Sequence, residues 1–211
     1  MRITAQALAA CAIGLLAPAA HAAAPNGPAF VAAFEEACVP QRLSFTGIQG
    51  HAASVGWSTV KTDVHPELEE VTSTADHETA IMGEPGWTFE REQFSREIDG
   101  RTHYLIVTRV HAPELITLIG CYLYDFDATQ GIDAALVTEF VGKPIAREIE
   151  DKGFTQYTWG PNFDARPRTL DTNLSFISED SPHKATTGFS GLVLKFETSE
   201  PDPAQEPEKT E

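Results

Sequence analysis

The chain lacks nearly every short motif that marks a common enzyme. His77-Glu78 begins the zinc-protease pattern H-E-x-x-H, but Ile81 stands where the second histidine belongs. Gly188-Phe-Ser190-Gly191 is too short for a nucleophile elbow, and its glycines fit a bend or bulge. There is no phosphate-binding P-loop and no G-x-G-x-x-G fingerprint. Asp125-Phe-Asp127-Ala-Thr129 opens like a calcium loop, yet its glycine comes one place late at Gly131 and Leu136 replaces the closing glutamate. Neither a cofactor nor a metal is expected.

Three further shortages narrow the class. Basic residues are scarce: 15 Lys plus Arg stand against 31 Asp plus Glu, for a formal charge of −16. With no basic cluster, this excess repels phosphate backbones and argues against nucleic-acid binding; it is electrostatically compatible with a basic protein partner or a divalent cation, but acidity alone usually just means solubility. No run of apolar residues is long enough to span a bilayer without a charge, so stable membrane insertion is not expected. Cysteine is limited to three positions, Cys11, Cys38 and Cys121. None forms C-x-x-C, and two or three are too few for a zinc site by themselves.

What is present begins with an export signal. In MRITAQALAACAIGLLAPAAHA, Arg2 supplies the positive start, Ile3 to Leu16 an uncharged apolar core, and Ala20-His21-Ala22 a small-x-small cleavage site. Residues 1–22 therefore read as a signal peptide, and the mature chain as periplasmic or secreted. Leu8-Ala9-Ala10-Cys11 also resembles a lipoprotein cleavage box, but the residues before Cys11 are few and the apolar run continues past it. Export leaves Cys38 and Cys121 where disulfides persist. Their one intramolecular pairing is the expected structural staple.

Residues 23–196 suit one domain. Helices are expected at Ala29–Cys38, stopped by Pro40, and at Ser44–Val55, ended by Gly56. The polar stretch 61–80 reads as a loop with a helical turn from Pro66 to Glu70. Asp99-Gly100 predicts a tight hairpin between extended segments at Trp87–Ile98 and His103–Val110. The run LITLIGCYLY, Leu115 to Tyr124, is apolar on both sides and predicts a central strand covered by helices on one face. Asp127 or Thr129 is the expected cap of a helix carrying Ile132, Ala135, Leu136 and Phe140, closed by Gly142. Strands are expected at Phe154–Trp159, Thr169–Ile177 and Gly191–Phe196. The remainder, 197–211, is acidic and proline-rich and reads as a disordered tail. The sum is an α+β domain, an antiparallel sheet of roughly five to seven strands packed against two or three helices.

Functional candidates are sparse. Trp159-Gly160-Pro161-Asn162 couples an aromatic to a rigid turn, a way to present a ring, with Tyr157 before it and Asp164 and Arg166 beyond. Tyr157, Trp159, Asp164 and Arg166 are the candidate binding surface. His103 and His111 flank one strand and read as hairpin-end residues. The functional expectation is a binding or accessory protein of the cell envelope, with an envelope protein, peptide or glycan as partner. The alternative is an envelope hydrolase, which needs an acid/base pair such as Asp164 with a histidine, assembled only by the fold.

Overall fold

In the computed structural model, residues 24–82, 86–162, 166 and 168–199 are described. The segment read as a signal peptide, with Cys11, the residues from Glu200 onward and Asp164 lie outside them. The described residues form five helices, α1 (Gly27–Cys38), α2 (Phe45–Ser54), α3 (Pro66–Met82), α4 (Ala134–Val141) and the short α5 (Lys184–Thr187). The described residues also form eight strands, β1 (Ser58–Thr59), β2 (Thr88–Ile98), β3 (Arg101–Ala112), β4 (Ile116–Asp125), β5 (Arg147–Asp151), β6 (Phe154–Trp159), β7 (Thr169–Ile177) and β8 (Gly191–Ser199). They form one sheet in the order β1-β2-β3-β4-β8-β7-β6-β5, antiparallel throughout. The α+β class is as expected, with more strands and helices than the sequence suggested. Two meanders of four strands meet where β4 pairs with β8.

Local chemistry explains the elements that were legible. Asn26 caps α1 by accepting from the Ala29 N–H, and Pro28 occupies the first turn, where it lacks no bond. Ser44 caps α2 through the Gly47 N–H. The β2–β3 hairpin turns through Asp99 and Gly100, both at positive φ (51° and 75°), so that Ile98 faces Arg101. The last strand runs to Ser199, beyond the expected end at Phe196, because Thr198 and Ser199 still pair with Ile119 and Leu118.

Three expectations need correction. The segment read as a loop with one turn is the 17-residue helix α3. Its apolar stripe is thin, and tertiary contacts hold it: Leu68 is fully buried, and the Arg91 guanidinium donates to Thr72 O (2.9 Å) and to Asp76 Oδ1 (2.7 Å). The cap of α4 is Asp133, whose carboxylate accepts from the Ala135 N–H at 2.8 Å, rather than Asp127 or Thr129. Strand β5, REIED, was not anticipated; it is a charged edge strand, the composition that keeps an open edge from pairing with another chain.

The sheet has two covered faces. On the first, Phe30 and Phe34 of α1, Ile48 of α2 and Val137 of α4 pack on Leu105, Val107, Leu123, Leu194 and Phe196. A disulfide between Cys38 and Cys121 (S–S 2.06 Å) joins α1 to β4 across this layer. On the second, Leu68 of α3 and Phe189 meet Tyr104, Ile106, Tyr124 and Val193. Strand β4 is thus apolar on both sides because both sides are covered, not one. Among the described residues no helix is long and apolar enough to cross a membrane, and the disulfide is compatible with an extracellular location.

Candidate functional site

The second face is only partly roofed. The segment after β7 is tied to α3 by a polar knot. Buried Ser190 places its hydroxyl 2.8 Å from Glu67 Oε1 and 2.6 Å from Glu179 Oε2. The Lys184 ammonium bridges the same two carboxylates at 2.8 and 2.7 Å. Those contacts raise the Lys184 pKa and lower that of Glu179. A protonated lysine and a hydroxyl locked between two acids make a clasp, not an activated nucleophile.

Beyond this roof, β4, β8, β7 and β6 offer an open polar strip. Its pivot is Tyr122. The ring folds back over Gly120, where a Cβ would collide with Tyr122 and with the Thr108 hydroxyl, so glycine is required there. The Tyr122 hydroxyl donates to Glu197 Oε1 at 3.1 Å. Burial first, and then the Glu197 charge, push its pKa up and keep it protonated. The Lys195 ammonium lies 5.6 Å from the centre of the Tyr122 ring. Asn173 sits directly opposite Lys195 on β7. Its Oδ1 accepts from Gln156 Nε2 (2.9 Å) and from the Thr158 hydroxyl (2.8 Å), an arrangement that fixes the amide.

Two cavities lie on either side of this hydrogen bond, one lined by Tyr122 and the other by Glu197. A groove of about 180 Å³ runs between α3 and the sheet, walled by Val71, Ala75, Phe89, Ile106, Tyr122 and Tyr124. A larger, open cleft of about 530 Å³ is lined by Leu170, Asp171, Asn173, Lys195 and Glu197, among others. The Tyr122–Glu197 hydrogen bond joins one to the other. The combination of an apolar wall with a few convergent polar groups is the usual make-up of a ligand site.

The residues singled out in the sequence lie elsewhere. Trp159 is 0% exposed, and its indole N–H donates to the Thr138 hydroxyl at 3.1 Å. The ring is a core element under α4, because β6 turns Trp159 and Tyr157 to the first face and Gln156 and Thr158 to the second. Tyr157 is half-buried beside Ile132 and Phe176 in a cleft of about 260 Å³ on that first face. Burial, then Glu148, raises its pKa. Arg166 lies near Arg42, whose pKa is lowered by burial first and by the Arg166 charge second.

The histidines have partners that account for them. His103 Nδ1 faces the Arg101 carbonyl at 3.0 Å, and Nε2 lies 3.6 Å from Asp125 Oδ2. Asp125 is wholly buried and accepts from Arg101 Nη2 at 2.7 Å. The carboxylate that opened the calcium-like loop is therefore spent inside the fold. His183 Nε2 meets Asp151 at 3.0 Å, while the neighbouring Ser181 hydroxyl donates to the Lys152 carbonyl rather than to the imidazole. His111 Nδ1 meets the Thr117 hydroxyl at 2.7 Å. Among the described residues no three His, Cys, Asp or Glu side chains gather as metal ligands. No family model, curated protein or solved structure matches this chain.

Proposed function

We propose that this is an extracytoplasmic binding or accessory protein of the cell envelope, and that its ligand surface is the unroofed part of the second sheet face. One observation carries the reading. The apolar groove beside α3 is lined by Tyr122 and the polar cleft over β7 and β8 by Glu197, and a hydrogen bond links these two side chains. Their volumes bracket the lower part of the range of small-ligand sites, about 300–1,000 Å³. The surface is also built rather than incidental. Gly120 exists to let Tyr122 lie flat, and the Ser190 clasp holds α3 at the rim.

A two-dimensional amide NMR titration with soluble envelope fragments tests this. Peptides, neutral oligosaccharides and amino acids are the probes. Saturable shifts clustered at Tyr122, Asn173, Lys195 and Glu197 are the expected result. Shifts centred instead on Tyr157 and Ile132 would move the site to the first face. Silence from every probe at both places would remove the binding assignment.

A further inference from the structure

We infer that the cleft over β7 and β8 receives the dipolar head of a free α-amino acid, with an apolar side chain lying toward Tyr122 and the α3 groove. This rests on the ligand surface proposed above and names its ligand class. In one cleft stand two donors and two acceptors that lack full partners among the described residues. The Lys195 ammonium touches only the Tyr122 ring. The Asn173 amide spends its oxygen on Gln156 and Thr158, which leaves the nitrogen open. Glu197 uses one oxygen for Tyr122, and Asp171 is an exposed carboxylate at the same wall.

Charge complementarity then selects among ligands. An isolated anion would meet Lys195 but also two carboxylates, and the chain's −16 charge would oppose its approach. An isolated cation would be drawn in by the field, yet it leaves Lys195 and the Asn173 nitrogen unused. A molecule carrying both charges on one carbon has no net charge to repel. Its carboxylate accepts from Lys195 and Asn173, and its ammonium donates to Asp171 and the open oxygen of Glu197. The neighbouring groove of about 180 Å³ holds about six water-sized groups, enough for the side chain of leucine, methionine or phenylalanine. Its walls of Val71, Ala75, Phe89 and Ile106 favour such a chain over a polar one.

Isothermal titration of the purified protein with L-leucine, leucinamide and N-acetylleucine is the test. The amide lacks the anion and the acetyl compound lacks the cation. Leucine is expected to bind at least tenfold more tightly than either. Lys195→Gln should weaken leucine at least tenfold and not weaken leucinamide, from which it removes a like charge; Asp171→Asn should weaken leucine and not weaken N-acetylleucine, for the same reason. Asp171 is exposed and Lys195 half-buried, and circular dichroism verifies that each variant is folded. Equal affinity for the three compounds, or leucine binding indifferent to Lys195→Gln, overturns the inference. The two readings can also fail separately. If neutral oligosaccharides or peptides shift Tyr122, Asn173 and Lys195 while no amino acid does, the surface stands and the dipolar ligand falls. If no probe shifts them, both fall.

Discussion

Reducing the Cys38–Cys121 bond should weaken the fold by an amount that the chain's own geometry sets. The two cysteines are separated by 83 positions and both are fully buried. Opening a loop of that length returns conformational freedom to the unfolded chain worth about 4–5 kcal/mol in the loop-entropy model, which for real proteins is an upper figure. That is a large part of a normal stability of about 5–15 kcal/mol. The contacts that remain in the first layer are extensive, with Phe30, Phe34, Ile48 and Val137 still packed on β3, β4 and β8. The reduced protein should therefore stay folded in buffer and unfold early. With a urea slope of about 2 kcal/mol/M, a loss of 3–4 kcal/mol lowers the midpoint by about 1.5–2 M. The slope itself should rise, since an uncrosslinked unfolded chain exposes more surface. The assay is urea unfolding followed by far-ultraviolet circular dichroism, with and without reductant. A Cys38→Ala/Cys121→Ala double variant is the control on which reductant has no effect. Coincident midpoints for the oxidised and reduced wild type would refute the reasoning, as would two reactive thiols in the denatured, unreduced protein.

Ser190→Ala should cost about 1–3 kcal/mol, because the hydroxyl between Glu67 and Glu179 is buried and bonds to charge. Hydrogen exchange should rise across 178–190 and in α3, and unchanged protection there would contradict the clasp. His103 sets a pH dependence. Burial is the main cause that lowers its pKa from 6.5, against smaller upward pulls from the Asp125 charge and the hydrogen bond to the Arg101 carbonyl; the Arg101 charge lowers it and Glu97 raises it by lesser amounts. The unfolded chain then binds the proton more readily than the folded one, so His103 stabilises the fold above pH 6.5 and that contribution is lost as pH falls through the lower folded value. Urea midpoints should drop more steeply as pH falls below 6.5 in the wild type than in His103→Asn, and parallel profiles would defeat this. Trp159→Ala should destabilise by about 3–5 kcal/mol, read as a fall in the urea midpoint; a loss below about 1 kcal/mol would mean that the ring is not a core element.

How far the sequence revealed the fold depended on whether local chemistry and burial agreed. Asp99-Gly100 specifies its own turn, Asn26 and Ser44 their own caps, and the apolar run of β4 its central place. Where tertiary contacts decide, the pattern was silent. The α3 sequence PELEEVTSTADHETAIM is polar enough for a loop, and it becomes a helix because Leu68 and Arg91 dock it on the sheet. Acids in its first turn, Glu67 and Glu69, were the available hint, since they favour a helix N-terminus. Strand β5 carries too little apolar surface to announce itself, and only its pairing with β6 makes it a strand.

The proposed binding surface was not legible in the sequence for a different reason, visible in the parity of the strands. Trp159 looked like a presented ring because a rigid turn follows it, but its face is fixed by what precedes it. In β6, Thr155, Tyr157 and Trp159 point to the first layer, and the helix above closes over the last of them. The cleft residues follow the same period of two and give the opposite impression. Asp171 and Asn173 alternate along β7, and Lys195 and Glu197 along β8; alternating polar positions on an antiparallel strand read as a solvent face. What separates a ligand face from a solvent face is whether the polar groups converge and stay unpartnered, which depends on three strands distant in sequence. Two local signs did point there. Lys195 interrupts the otherwise apolar GLVLKF, and Gly120 stands two residues before Tyr122 in a strand that had no need of a turn. A charge set into an apolar strand and a glycine beneath an aromatic ring each have a cost in packing or backbone entropy. Their coincidence on neighbouring strands is the reason to place the ligand at Tyr122 rather than at Trp159.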